Sequence, residues 1–182
     1  MGIRQAYEDS LQREGHVEDP AQLDVIARFE DLQERLAAQP PRRGGLRTMF
    51  FRSEPRETVR GLYIWGGVGR GKTFLMDLFF ENLDMEQKKR IHFHRMMHDV
   101  HARLKALSFV EDPLDKIAGQ IAQETRVLCF DEFFVSDIGD AMILGRLLKG
   151  LFSRGVTLVT TSNSRPDELY KDGLQRQRFL PA

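Results

Sequence analysis

The sequence contains little cysteine, no long apolar run and no excess of either charge. A single cysteine, Cys129, among 182 residues excludes an internal disulfide bond and is typical of a reducing compartment. No apolar run approaches the roughly 20 residues of a membrane-spanning helix, and the first residues lack the hydrophobic stretch of a secretory signal. The 27 Lys and Arg residues balance the 27 Asp and Glu residues, so no overall basic surface favours nucleic acid. We therefore expect a cytoplasmic protein without a nucleic-acid partner.

Two parts of the chain differ in their residue pattern. Residues 1–45 predict a helical segment, because apolar residues recur near helical spacing after a helix start at Asp19-Pro20. The segment ends in a run of proline, arginine and glycine at 40–45, which predicts a linker. Residues 46–182 are predicted to form the nucleotide-binding core, in a chain whose length fits one domain.

Strand and helix patterns alternate from residue 59 onward. Runs rich in β-branched and aromatic residues predict strands near 59–65, 90–94, 126–131 and 156–161. Helical patterns are found near 72–83, 96–107 and 137–152, and another helix begins at Asp112-Pro113. Asp137 is a predicted N-cap of the helix near 137–152. This alternation predicts a parallel α/β sheet with helices on both faces.

The first predicted strand runs directly into a phosphate-binding loop. Residues 66–73 have the pattern Gly-x-x-x-x-Gly-Lys-Thr, with a buried helix predicted after them. Strand, glycine loop and helix together aim backbone N–H groups and a helix N-terminus at a polyphosphate. We expect ATP to be bound by Gly66, Gly67, Val68, Gly69, Arg70, Gly71, Lys72, Thr73 and Phe74.

The third predicted strand ends in two acidic residues, Asp131 and Glu132, as a Walker B element does. Carboxylate and hydroxyl oxygens are the ligands that Mg²⁺ prefers, so Asp131 and Thr73 are predicted to hold this ion. Glu132 is predicted to orient and deprotonate the attacking water. This water-activating acid favours an ATPase over a kinase that activates a substrate hydroxyl.

Two further predictions concern the end of the chain. Asn163 follows the fourth predicted strand and fits the role called sensor 1, although a simple turn residue is the alternative. Arg176, and after it Arg178, are candidates for an arginine finger that reaches a neighbouring subunit's ATP. The alternative is that both arginines form weak surface pairs.

Other conspicuous residues are assigned structural roles. His92 and His94 alternate on the second predicted strand, and His98 and His101 share one face of the next helix. A zinc site normally needs three or four convergent ligands, so a polar and partly buried cluster is favoured over a metal site. The runs Phe133-Phe134 and Met96-Met97 are interpreted mainly as core, and the basic run Lys88-Lys89-Arg90 as solvated surface.

The ordered set of motifs resembles the ZapE-type family of AAA+ ATPases, which act in bacterial cell division and have mitochondrial relatives. The resemblance rests on residues 19–23, 62–73, 91–95, 128–133 and 169–176. It implies an AAA+ core with strand order 5-1-4-3-2, ATP hydrolysis and action on the FtsZ division ring. It also implies a homo-oligomer and a peripheral location at the inner membrane. Lys72, Thr73, Asp131, Glu132 and Asn163 match the family's nucleotide-site positions.

The chain is shorter than members of this family. We expect it to be an N-terminal fragment whose last core strand and C-terminal lid are missing, which would leave the first strand at an open edge. Weak nucleotide binding and poor hydrolysis are expected of such a fragment. Two alternatives remain open: a nucleic-acid-associated AAA+ ATPase such as a helicase loader, and a nucleotide-dependent adaptor.

Overall fold

A computed structural model describes residues 2–15, 17–39, 58–171 and 173. The helices are α1 Ile3–Glu14, α2 Pro20–Ala38, α3 Lys72–Asn82, α4 Phe93–Ala106, α5 Pro113–Glu124 and α6 Ile138–Phe152. The strands are β1 Leu62–Trp65, β2 Lys88–His92, β3 Val127–Asp131 and β4 Thr157–Ser162, and a 3₁₀ turn follows at Pro166–Glu168. No helix among these residues combines the length and apolar character needed to cross a lipid bilayer.

The four strands form one parallel sheet in the order β1-β4-β3-β2. This order agrees with the expected AAA+ arrangement for the strands that the structure describes. Trp65 is aligned with Ser162, and His92 is aligned with Asp131, so the carboxyl ends of all four strands lie at one edge. Within the described ranges, β1 has a strand neighbour on one side only.

The sheet separates two hydrophobic cores, and β3 contributes to both. All five residues of β3 are buried, as expected of a central strand in a parallel sheet. Because alternate side chains point to opposite faces, Leu128 and Phe130 join the core with α4, α5 and α6. Val127 and Cys129 join the core with α1, α2 and α3.

The two N-terminal helices are packed onto the sheet through α3. Phe29 stacks on Phe79 with ring centroids 4.5 Å apart, and both side chains are fully buried. Arg126, at the start of β3, donates to the carbonyl oxygen of Leu36 over 2.7 Å. The helical prediction for this segment is confirmed, while its predicted boundary at residue 45 lies outside the described residues.

Aspartates begin three of the helices, as the sequence predicted. Asp19 accepts a hydrogen bond from the backbone N–H of Ala21, and proline occupies the first turn. Asp112 and Asp137 cap α5 and α6 in the same manner, by accepting backbone N–H groups in the first turn. Each cap satisfies a donor that the helix itself leaves unpaired.

The prediction for the second strand was two residues too late. The strand ends at His92, and α4 begins at Phe93, so His94 lies on a helix. The alternation His-Phe-His resembles a half-buried strand, but Phe93 is buried against the rings of Phe130 and Phe133 at 5.8 and 4.9 Å. Because of this packing the strand ends at His92 and the helix begins at the next residue, Phe93.

The predicted histidine cluster was mostly wrong. His92, His94 and His98 are exposed, and His101 alone is partly buried, where its Nε2 lies 2.7 Å from Asp140. The apolar pairs were better predicted, because Met96, Met97 and Phe133 are all buried. Phe134, however, is 49% exposed, so the core interpretation fails for that residue.

Candidate functional site

The loops that follow β1, β3 and β4 meet at the carboxyl edge of the sheet. The backbone N–H of Gly66 donates to the carbonyl oxygen of Ser162 over 3.3 Å, and that of Phe133 donates to Thr161 over 2.7 Å. Asn163 directly follows β4 and is exposed. The phosphate-loop, Walker B and Asn163 segments predicted from sequence are therefore adjacent. Ligands of open parallel sheets bind at this kind of edge.

The phosphate-binding loop has the backbone geometry that an anion requires. Gly69 and Gly71 both have φ of 79°, a left-handed conformation that side chains disfavour. Gly71 is also the N-cap of α3, where it has no side chain to accept the first N–H groups of the helix. These N–H groups and the positive end of the helix dipole therefore favour a bound phosphate.

Lys72 lies across the mouth of this loop. Its Nζ donates to the carbonyl oxygens of Gly66 and Gly67, each over 2.7 Å. Partial burial lowers the pKa of this lysine from its usual value. An ammonium group has three donors, so one remains for a phosphate oxygen after the two loop contacts.

Glu132 has a strained backbone at the position predicted for the water-activating acid. Its φ is 55°, which is uncommon for a residue with a side chain. The N–H of Glu132 donates to Oγ1 of Thr161 over 3.2 Å, and Oγ of Ser162 donates to the carbonyl oxygen of Phe133 over 2.7 Å. Two hydroxyls of β4 thus hold the turn on which Glu132 is exposed. Strain of this kind is often kept at functional sites.

The carboxylate of Asp131 is hydrogen-bonded by Arg90, which was predicted from sequence to lie on the solvated surface. Arg90 Nε and Nη2 donate to the two carboxylate oxygens of Asp131 over 2.7 and 3.2 Å, and Nη1 donates to Asp77. The prediction that Lys88-Lys89-Arg90 is solvated was wrong for Arg90 and Lys88. Lys88 Nζ donates to the carbonyl oxygens of Phe80 and Leu83. A basic run on a five-residue strand gives no sequence signal of these partners.

The N-terminal helices also contact the phosphate loop. Gln22 Nε2 donates to the carbonyl oxygen of Arg70 over 3.3 Å, and its Oε1 accepts from the Tyr7 hydroxyl over 3.1 Å. The same hydroxyl accepts from the N–H of Asp19. Composition and spacing did not predict this connection between Gln22 and the phosphate loop. Gln22 does fall within the segment 19–23, which carries part of the family resemblance.

The donor set at this edge suits a magnesium triphosphate. Thr73 is exposed in the first turn of α3, and Asp131 ends the central strand with 6% exposure. Both offer the hard oxygen ligands that Mg²⁺ prefers. The assignment of Thr73 and Asp131 to the ion stays a prediction, as do the catalytic roles of Glu132 and Asn163. Arg176 and Arg178 lie outside the described residues.

Several named proteins are similar in sequence over two thirds of this chain or more. A family model described as AFG1-like ATPase matches residues 1–182. The chain is 54% identical to cell division protein ZapE of Escherichia coli K12, across 97% of this chain and 49% of that protein. It is 50% identical to lactation elevated protein 1 homolog B of Danio rerio, across 67% of this chain and 26% of that protein. The chain thus spans about half, or less, of the length of these relatives.

Solved structures share the fold at low sequence identity. A DNA replication initiation factor aligns with a TM-score of 0.61 and 14% identity, over 93% of this chain and 46% of that chain. The AMPPCP-bound DnaA of Aquifex aeolicus aligns with a TM-score of 0.56 and 13% identity, over 91% and 45%. These values show a common fold alone, whereas the family match covers every residue of the sequence. The chain belongs to the AFG1-like ATPase family.

Proposed function

We propose that this chain binds Mg-ATP and forms the catalytic part of an ATPase that remodels a cell-division assembly. The observation that supports it best is the phosphate loop ending in Lys72, beside an acidic pair at the end of β3. The family's description as an ATPase supports hydrolysis, and the name of the E. coli relative supports a role in division.

Each residue of the site has a task in this proposal. Backbone N–H groups of residues 66–74 bind the phosphates, and Lys72 adds a positive charge near the outermost one. Thr73 and Asp131 would hold Mg²⁺, which when bound offsets the charge that develops on the phosphate oxygens. Glu132 accepts the proton of the attacking water, and Asn163 orients that water by a hydrogen bond.

Hydrolysis is tested in a longer protein that includes the remaining half found in the relatives. We expect Lys72→Ala to lose ATP binding and turnover together. Glu132→Gln should retain ATP but turn it over at least about 100-fold more slowly, because general-base catalysis contributes on the order of 10²–10⁴. Equal turnover by Glu132→Gln and the unaltered protein would remove Glu132 from the mechanism.

The partner that we propose is the FtsZ division ring, acted on at the cytoplasmic face of the inner membrane by a homo-oligomer. The family resemblance of the motifs supports this choice, and the relative's printed name supports only a role in cell division. The test is the ATPase rate of the longer protein with and without FtsZ filaments, with the Lys72→Ala variant as control. Stimulation that needs Lys72 supports the proposal. Absence of both stimulation and co-sedimentation would exclude FtsZ as the direct partner.

Neither alternative function is favoured by a specific observation. The likeness to replication proteins is at 13–21% identity and shows the fold alone. A salt-sensitive DNA shift by the longer protein would revive a helicase-loader function. An adaptor that docks through its N-terminal helices is disfavoured, because the largest apolar side chains of α1 and α2 are already buried against α3.

A further inference from the structure

Arg90 is the centre of a three-residue ionic cluster that includes Asp131, one of the predicted magnesium ligands. Its guanidinium contacts Asp131 with two N–H groups and Asp77 with a third. The Arg90 side chain is 20% exposed and that of Asp131 is 9% exposed, whereas Asp77 is 46% exposed. The pair with Asp131 is therefore poorly screened by water, which makes it stronger than a surface ion pair.

The cluster joins the two elements that carry the predicted magnesium ligands. Asp131 ends β3, and Asp77 lies four residues after Thr73, which places both on the same face of α3. Arg90 itself is in β2, aligned with Cys129 of β3. One rigid guanidinium thus spans from the Walker B strand to the helix of the phosphate loop.

We propose that Arg90 is a positioning residue for the magnesium ion of the bound nucleotide. It fixes the rotation of the Asp131 carboxylate and its spacing from the first turn of α3. This inference rests on the proposed function, because it concerns the metal that accompanies ATP. A carboxylate has about four lone-pair sites, so the two bonds from Arg90 leave others available for a metal ion. Arg90 touches neither the nucleotide nor the ion in this role.

The planar fork of arginine is essential to the proposed role. Two parallel N–H···O bonds fix the plane of a carboxylate, whereas a lysine ammonium acts as a point charge on a flexible stem. Arg90→Lys therefore keeps the charge of the cluster and removes the fork. Partners that orient a metal ligand typically contribute about 10- to 100-fold to metal affinity or activity.

The measurement is the coupling between Mg²⁺ and nucleotide binding in the 182-residue chain. Calorimetric titration with AMPPCP, in EDTA and in excess Mg²⁺, gives two dissociation constants whose ratio is the coupling. We expect Arg90→Lys to reduce this ratio about tenfold or more. Arg103→Lys is the matched control, because Arg103 pairs with Asp99 on the exposed surface of α4. It should leave the ratio unchanged within about twofold.

A double variant separates positioning from a purely structural role. Asp131→Asn should lower the ratio by itself, and Arg90→Lys should add no further loss in that background. An unchanged ratio in Arg90→Lys, or an equal loss with and without Asp131, would overturn the proposal. So would a higher ratio, because that result would mean that Arg90 competes with the ion for Asp131.

Two outcomes distinguish this inference from the proposed function. If the unaltered chain does not bind AMPPCP in either condition, the nucleotide site and the role of Arg90 both fail. If it binds with strong coupling that Arg90→Lys does not change, only the role of Arg90 fails. Should Arg90→Lys melt below the titration temperature, Asp77→Ala removes the oxygen that accepts from Arg90 on α3 and should lower the ratio about threefold. An unchanged ratio in Asp77→Ala would then contradict the proposal.

Discussion

Thr161 has a larger role in the site than its place in a buried strand suggests. Its hydroxyl oxygen accepts the N–H of Glu132, and its carbonyl oxygen accepts the N–H of Phe133. Thr161 is 3% exposed, so no water can replace the hydroxyl easily. The left-handed turn at Glu132 therefore depends on a side chain from the neighbouring strand.

Thr161→Val should reduce ATP hydrolysis in the longer protein about tenfold while changing ATP affinity little. Valine has the shape of threonine but cannot accept a hydrogen bond from the Glu132 N–H. The turn therefore relaxes, and the Glu132 carboxylate is no longer held in position to activate the water. Turnover and nucleotide affinity, measured together, check this expectation. Thr161→Ser retains the hydroxyl and should keep near-normal turnover. A defect of the same size in both variants would contradict the assigned role.

Cys129 should be inert in the folded chain. Burial raises the pKa of its thiol to about 12 from 9.0, although the charge of Arg90 opposes this rise. At pH 8 the folded protein should react with iodoacetamide at least about 100-fold more slowly than the denatured chain, because the thiolate is the nucleophile. Since this is the only cysteine, mass spectrometry reads the rate directly. Similar rates in both states would mean that β3 is not central.

The same pKa shift sets a pH dependence of stability. The folded state retains the thiol proton up to about pH 12, while the unfolded state releases it near pH 9. Proton release from the unfolded chain then favours unfolding as pH rises above about 9. Below that pH the cysteine contributes no pH dependence. In Cys129→Ala, this contribution to the fall in the free energy of unfolding at alkaline pH should be absent. Urea unfolding at pH 8 and 10 would detect the difference.

At the scale of elements, the N-terminal helices are part of the main fold. Phe29→Ala should lower the free energy of unfolding by about 3–5 kcal/mol, the usual cost of truncating a buried phenylalanine. Phe29 is fully buried against Phe79. Phe109→Ala is the matched control, because that ring is fully exposed. It should stay within about 0.5 kcal/mol. Equal urea midpoints for the two variants would mean that α2 does not pack as described.

Most elements were predictable from sequence because their signals are local. Aspartate caps marked the starts of α2, α5 and α6, and the β-branched and aromatic run before the phosphate loop marked β1. The start of α4 was missed because His-Phe-His alternates like a strand. The position at which α4 begins is decided by the packing of Phe93 against rings that are distant in the chain.

The candidate site was only partly predictable for the same reason. The glycine loop and the acidic pair are contiguous motifs, so their residues could be named. Arg90, Gln22 and Thr161 act through contacts 41, 48 and 29 residues away in sequence. Composition and spacing do not record such pairings, and a basic run on a short strand appears as ordinary surface.

At the scale of the whole molecule, one hydrogen-bonded frame connects nucleotide site and fold. The phosphate loop is contacted by α2 through Gln22, by β4 through Ser162, and Asp131 is tied to β2 and α3 through Arg90. A substitution in the phosphate loop therefore affects its contacts with several elements at once. The chain spans about half of its E. coli relative, so turnover and partner binding belong to tests on a longer protein.

All the roles assigned to this site require a triphosphate to bind at the glycine loop together with Mg²⁺. Calorimetric titration of the 182-residue chain with Mg-AMPPCP, beside the Lys72→Ala variant, measures this binding. We predict saturable one-to-one binding with a dissociation constant below about 1 mM, the usual upper range for enzyme substrates, and a loss of at least about tenfold in the variant. Equal affinity in both proteins would mean that the glycine loop does not bind the triphosphate. The absence of any heat of binding in either protein, when both are folded, would mean the same.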